Sequence, residues 1–324
     1  MGVNGSVLAI DAGNSKTDVA LIGEDGTVLS TARGGGFQPP VVGIGTAVDV
    51  LGSAVERVLD SAGADAGSVA HVSACLANAD LPVEEEQLTE ALRARGWGRT
   101  VEVRNDTFAI LRAGADEPRG VAVVCGAGIN CVGMVPDGRT ARFPAIGRIS
   151  GDWGGGSGLS EEAMWFASRG EDGRGEPTEL ARTLPAHFGL GSMYALIEAL
   201  HLGRIAQERR HELSPVLFTT AAAGDAVARG LVDRLAEEVV ALSSVALSRL
   251  GLLDEAAPVV LGGSVLAARH PQLDDRIGEL LAVRAPKAVV RVVQESPVLG
   301  AGLLGLDHTG AAPEVHARLR TQYV

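Results

Sequence analysis

Lysine is almost missing from this chain: of 28 residues counted as Lys or Arg, only Lys16 and Lys287 are lysines. Aromatics make up 3% of the sequence, so any core must be built from Val, Leu, Ile and Ala. The three cysteines, Cys75, Cys125 and Cys131, form no even disulfide set and lack the paired CxxC spacing of a zinc site. They read as small buried hydrophobes in a reducing compartment. No run approaches the roughly 18 apolar residues that span a bilayer, so no membrane partner is expected. The N-terminus lacks a basic leader followed by a long apolar segment, which reads as no signal peptide and a cytoplasmic chain. Met1-Gly2 followed by Ser6 fits an N-myristoylation pattern only formally. Positive charge is scarce too. The net charge of −12 and pI of about 5.1 argue against a nucleic-acid or anionic-membrane partner, because both need basic patches. A GxxxxGK[ST] loop is absent, and the seven histidines show no HxxxH or HExxH pairing.

What is present is a repeat. Residues 6–33 (SVLAIDAGNSKTDVALIGEDGTVLSTAR) and 120–142 (GVAVVCGAGINCVGMVPDGRTAR) share one order: apolar strand, Gly-containing loop, second strand, Asp-Gly turn, third strand. The first unit continues with a Gly-Pro loop at 34–40 and an amphipathic helix at 45–62, with Val48, Leu51, Val55, Val58 and Leu59 on one face. Strands at 69–77 and 100–104 alternate with helices at 83–95 and after Asn105-Asp106. The second unit carries a helical insertion over about 158–250, then strands at 258–261 and 288–293 and an apolar helix at 297–306. A length of 324 residues suits two domains, here 1–118 and 119–324, with the tail 307–324 packing back on the first. The fold class read from this is α/β: two similar domains, each a five-stranded mixed sheet flanked by helices, with the site in the cleft between them.

Several segments can carry chemistry, each beside a plainer reading. Asp11 ends the first strand and precedes Ala12-Gly13-Asn14-Ser15-Lys16-Thr17. Small residues there let backbone N–H groups approach phosphate oxygens, and Asp11 suits Mg²⁺ held through water. The plain reading is a strand-end Asx turn in a hairpin. Gly126, Ala127 and Gly128 form the matching loop of the second unit, and two facing loops can close on one polyphosphate. Asn105-Asp106-Thr107 opens a helix, where Asn or Asp is also the favoured N-cap, worth about 1 kcal/mol. GDWGGGSG, opening at Gly151-Asp152, is either a ligand-touching loop before a helix at 158–169 or a solvated linker. Segment 168–178 is a polar Gly-rich loop. Gly262-Gly263-Ser264 can lie flat on a purine or its ribose, or be an ordinary strand–helix turn.

As a set, AIDAGNSKT, CGAGIN, GDWGGGSG and VVLGGSV, in this order, resemble the sugar kinase/Hsp70/actin superfamily. Within it they resemble the BadF/BadG-type ATPases that include N-acetylglucosamine kinases. The resemblance spans nearly the whole chain and implies two ribonuclease-H-like, actin-like ATPase domains using ATP and Mg²⁺. It implies Asp106 as catalytic base. Asn130 and Asp152 would be sugar-hydroxyl ligands, and Gln38 would stand where such kinases use an Asn to hold the sugar. Asn105 and Gly128 join this substrate set. Gly13, Asn14, Ser15, Lys16, Thr17, Gly126, Ala127, Gly128, Gly262, Gly263 and Ser264 would bind nucleotide. Departures from the pattern are Ala127 and Ile129 for Thr and Ser, Trp153 for Glu, and Gln38 for Asn.

The implied reaction is phosphoryl transfer from Mg·ATP to a hydroxyl of an amino sugar, most simply O6 of N-acetylglucosamine, by a homodimer-forming family. Two rival readings are an iron–sulfur ATPase activator of a radical dehydratase, which needs exposed cysteine ligands, and a non-catalytic sugar or nucleotide sensor.

Overall fold

A computed structural model describes residues 6–323; Met1 and Gly2, and with them the formal lipidation pattern, lie outside this range. Two five-stranded sheets repeat one topology. The first unit contributes β1 (Ser6–Ala12), β2 (Thr17–Ile22), β3 (Val28–Gly34), β4 (Val69–Leu76) and β5 (Thr100–Asn105), in the order β3-β2-β1-β4-β5. The second contributes β6 (Gly120–Cys125), β7 (Ile129–Met134), β8 (Thr140–Arg142), β9 (Pro258–Gly262) and β10 (Val289–Val292), in the order β10-β9-β6-β7-β8. In each, three strands form an antiparallel meander and two add in parallel on the far edge. Gly26 (φ 83°) and Gly138 (φ 91°) supply the positive φ that the two Asp-Gly turns require.

The first unit adds α1 (Pro39–Val42), α2 (Ile44–Ala62), α3 (Pro82–Arg93) and α4 (Thr107–Gly114). α2 buries Val48, Leu51, Val55, Val58 and Leu59, the face its periodicity predicts. The second unit adds α5 (Gly155–Asp172), α6 (Leu180–His187), α7 (Met193–His201), α8 (Leu213–Ala222), α9 (Ala226–Leu250), α10 (Gly263–Ala267), α11 (Pro271–Arg284), α12 (Pro297–Thr309) and α13 (Pro313–Thr321). The insertion of five helices, α5 to α9, shares one core with the second sheet.

Three local expectations are corrected. α5 starts at Gly155, not near 158, and its first turn consumes the glycines read as a loop. α5 also runs on to Asp172, so half of the polar 168–178 segment is helical; the Glu171 carboxylate accepts the first-turn amides of α7, from Met193 (2.8 Å) and Tyr194 (2.9 Å). Within 34–40, Pro39 and Pro40 start a short helix, since Pro suits the first helical turn.

The helix that follows the last strand of each unit crosses to the other. α4 packs on β6, β7 and β9, whereas α12 packs on β1, β4 and β2, and the two helices pack on each other. Gly300 makes that contact feasible: a Cβ there would run into the carbonyl of Ala109. The Arg112 guanidinium, 2% exposed, forks onto Asp307 (Nε–Oδ2 2.6 Å, Nη2–Oδ1 3.0 Å). α13 then returns to the first sheet, with Leu319 buried and Gln322 bonded to Val28 and Gly26.

Candidate functional site

At the carboxyl ends of the strands, where open α/β sheets hold ligands, Asp11 after β1, Asp80 after β4, Asn105 and Asp106 at β5 and Asn130 on β7 lie close together. At the end of β1, the amide of Gly13 bonds to the Lys16 carbonyl (2.9 Å) and its carbonyl accepts from Phe37 (2.9 Å). Gly36 packs so close to the Asn14 carbonyl that no Cβ fits. Gln38 donates its side-chain amide to that same carbonyl (2.7 Å), and Asn78 donates to the Asn14 side chain (2.9 Å). Asn78 holds a positive φ of 61°, which Asn tolerates better than most residues. Gln38 therefore braces the first loop with one amide N–H, leaving its other N–H and its Oε1 free among the described residues. Lys16 leans onto Asp18 (3.2 Å), and Ser15 is exposed. Thr17 is not brought to the loop's open side: it is fully buried, and its hydroxyl is spent on the Gly35 carbonyl (2.8 Å).

The second loop is clasped from two sides. Its carbonyls at Gly126 and Ala127 accept the amides of Gly156 (2.7 Å) and Ser157 (3.1 Å) from the first turn of α5. A Cβ on Gly155 (φ +72°) would stand 2.5 Å from both the Ala127 oxygen and the Gly128 Cα. From the other side, a Cβ on Gly263 would stand 2.5 Å from the Cys125 carbonyl carbon, and one on Gly262 2.7 Å from Ile110. The Gly262-Gly263 pair is thus accounted for by packing inside the protein; Ser264 beside it is exposed. Among the described residues, the amides of Asn14, Ser15, Ala127 and Gly128 have no protein acceptor, and all four residues are exposed. Exposed, unspent amides in paired loops fit phosphate oxygens.

Asn105, 2% exposed, is the hub of the crevice. Its Oδ1 accepts the amide of Thr107 (2.9 Å) and so caps α4; no bond from the Asp106 carboxylate does. The plain reading of Asp106 as helix cap is thereby displaced one residue, although its carboxylate still feels the nearby Thr107 amide and hydroxyl. Asn105 Oδ1 also accepts from Asn130 Nδ2 (3.1 Å), while Asn105 Nδ2 donates to Asp80 (2.8 Å). Arg142 on β8 reaches back to Glu85 (2.5 Å) and to the carbonyls of Ala79 and Asp80.

Three carboxyls here hold their protons unusually tightly. Asp11 is pushed up to about 8, first by burial and then by the charges of Asp106 and Asp18. Asp80 is pushed up to about 7 by burial, Asp106 and Glu84, and Asp106 to about 6 by burial, with the amides of Thr107 and Asp106 itself tempering the rise. Mutually repelling carboxylates with only oxygen donors fit a hard cation such as Mg²⁺, which would relieve that repulsion. Asp80 and Asn78 were missed from sequence. Their signal was position, since LANAD follows a buried strand that ends beside Asp11.

Asp152 turns Oδ2 to the Gly147 amide (2.9 Å) and the Ser150 hydroxyl (2.7 Å), closing a tight turn. Beside it lies a cavity of about 230 Å³ lined by Ala127, Gly128, Arg148, Asp152, Trp153 and Ser157, among others. It is smaller than the ~300–1,000 Å³ of drug-sized pockets, which suits a small polar molecule better than a nucleotide. The indole N–H of Trp153 is buried without an acceptor, and Arg234 lies over its ring at 4.2 Å. All three cysteines are free and buried, with thiols pushed up by burial, so none offers an exposed thiolate to a shared cluster. No helix of the described residues is long and apolar enough to cross a membrane.

The chain is similar to known proteins along almost its whole length. An N-acetylmuramic acid/N-acetylglucosamine kinase of Clostridium acetobutylicum is 25% identical over 301 residues, covering 92% of this chain and 97% of that protein. An N-acetyl-D-glucosamine kinase of Dictyostelium discoideum is 24% identical, covering 93% and 97%. A solved structure from Chromobacterium violaceum, provisionally named an N-acetylglucosamine kinase, shares the fold with a TM-score of 0.69 at 23% identity, over 94% of this chain and 99% of that one. The fold thus recurs over almost the full length of that solved structure. Residues 8–305 match as one continuous stretch, and the chain belongs to the BadF/BadG/BcrA/BcrD ATPase family.

Proposed function

We propose that this chain is an ATP-dependent kinase of an amino sugar, with N-acetylglucosamine, phosphorylated at O6, as its acceptor. The observation that carries the reading is the Asp106 carboxylate, which Asn105 replaces as the cap of α4 and which burial raises to about 6 beside Asp11 and Asp80. A base with that value is mostly ionised at neutral pH yet basic enough to take a hydroxyl proton, a contribution of roughly 10²–10⁴ in rate. Both curated relatives are named as kinases of such sugars.

In this reading the amides of Asn14, Ser15, Ala127 and Gly128 cradle the nucleotide phosphates, with Lys16 swinging from Asp18 to join them. Mg²⁺, held through Asp11 and water, supplies charge neutralisation on the transferring group. Asn105 and Asn130 orient the acceptor, Asp152 and Trp153 wall the small cavity against it, and Ser264 lies at the adenosine end. Domains 1–118 and 119–324 close on the pair and exclude water, so that the sugar hydroxyl outcompetes hydrolysis. The enzyme is read as cytoplasmic and homodimeric, the latter open to light scattering.

The test is ADP release from Mg·ATP with N-acetylglucosamine, glucosamine, N-acetylmuramic acid, glucose or no sugar. ADP that depends on an amino sugar supports the reading. Equal ADP in every sample, or none in any, overturns it.

A further inference from the structure

Away from the crevice, at the edge of the first sheet, β4, β5 and the end of α12 bring together His71, Glu102 and His308. One donor atom from each lies within 4.8 Å of the other two. His71 is 1% exposed, and its Nε2 is buried with no hydrogen-bond partner. Its other nitrogen fixes the tautomer. Thr100 donates its hydroxyl proton to the Ala70 carbonyl (3.1 Å), so its oxygen accepts from His71 Nδ1–H (2.9 Å). With Thr100 donating in this way, the proton is assigned to Nδ1 and Nε2 presents a lone pair. A hydrogen bond from the far ring nitrogen is how metal-bound histidines are held.

We propose that His71, Glu102 and His308 bind a zinc-class divalent transition-metal ion that pins the end of α12 to the β4–β5 edge. Two imidazole nitrogens and a carboxylate are a borderline donor set that suits Zn²⁺ and its neighbours and suits Mg²⁺ poorly. To meet bonds of roughly 2.0–2.2 Å the donors must draw together by about an ångström and the His308 ring must reorient. Glu102 gives one oxygen to Arg104 (2.7 Å) and turns the other toward His308 Nδ1 (3.7 Å). Arg104 opposes a cation here, and the Glu102 charge offsets it. Burial, His308 and Arg104 press the His71 ring down to about 4, so it is neutral and ligand-competent at pH 7. The two rings now stack at 3.9 Å and 11°. Binding requires His308, exposed on the last turn of α12, to rotate its ring, a motion open to exposed side chains.

The experiment titrates Co²⁺ into tag-free, chelator-stripped protein without nucleotide, following ligand-field absorption, and then displaces it with Zn²⁺. One Co²⁺ per chain is expected, with a rise in Tm on Zn²⁺ addition. His308→Ala and Glu102→Gln, both at accessible positions, should each weaken binding by at least about tenfold, the lower bound for losing even a supporting contact. Thr100→Val should weaken it by roughly 10–100-fold through the tautomer. Asp11→Asn should leave it unchanged, which separates this site from the nucleotide crevice. No stoichiometric band, or a band that both His308→Ala and Glu102→Gln retain at full affinity, overturns the proposal.

Discussion

Asn130 of the second sheet donates its side-chain amide to the Asn105 carbonyl oxygen of the first at 3.1 Å, so the oxygen that caps α4 also joins the two halves of the crevice. A sugar bound there competes for, or extends, that contact. Asn130→Ala is expected to raise KM for the sugar by roughly 2–15-fold, the worth of a neutral hydrogen bond, while KM for ATP stays unchanged. Steady-state kinetics with each substrate varied in turn checks this.

Asp11 makes a stability prediction opposite to the usual one for a carboxylate. Its folded value of about 8 lies above the ordinary 3.8, so the folded state favours the protonated form. The stabilising contribution is complete below about 3.8 and is lost as pH rises through about 8. Asp11→Asn is expected to abolish turnover yet raise the Tm of the ligand-free protein at pH 8 by at least about 2 °C. Thermal melts from pH 6 to 9 should show a flatter profile for the variant; a lower Tm throughout would contradict the burial argument.

Gly155 links helix α5 to the second loop. A Cβ there stands 2.5 Å from loop backbone, at a φ that disfavours any side chain. Gly155→Ala should displace Ala127 and Gly128 at a cost of about 1–3 kcal/mol. The expected readout is weaker nucleotide binding by calorimetry in a protein that still folds.

The acid limb of the pH profile should belong to Asp106. With Mg·ATP saturating, the cation keeps Asp11 ionised, and a base raised to about 6 is protonated and inactive below that value, so kcat should rise with pH through about 6 and then level off. A limb centred near 4 would mean that burial does not raise this group in the working enzyme.

Much of this was legible in the chain. The period-2 strands, the Asp-Gly turns at Gly26 and Gly138 and the stripe on α2 are local signals, and local physics decides them. The exchange of α4 and α12 was not legible, because an apolar helix does not say which sheet it covers; Gly300 against Ala109 becomes meaningful only once both helices are placed. Within the site, Asp11, Asp106 and the two loops stood out by pattern. Asp80 did not, since a lone acid after a strand looks like any turn residue until parallel pairing sets it beside Asn105. Thr17 misled because its hydroxyl competes for a backbone acceptor that the sequence cannot reveal.

The most direct measurement compares Asp106→Asn with the unaltered chain, in ADP release with N-acetylglucosamine and in nucleotide binding by calorimetry. Asparagine keeps the shape and removes the base. The account predicts unchanged Mg·ATP affinity with turnover down by roughly 10²–10⁴. Turnover within about twofold of the unaltered chain would reduce Asp106 to a structural residue at the start of α4 and contradict the mechanism.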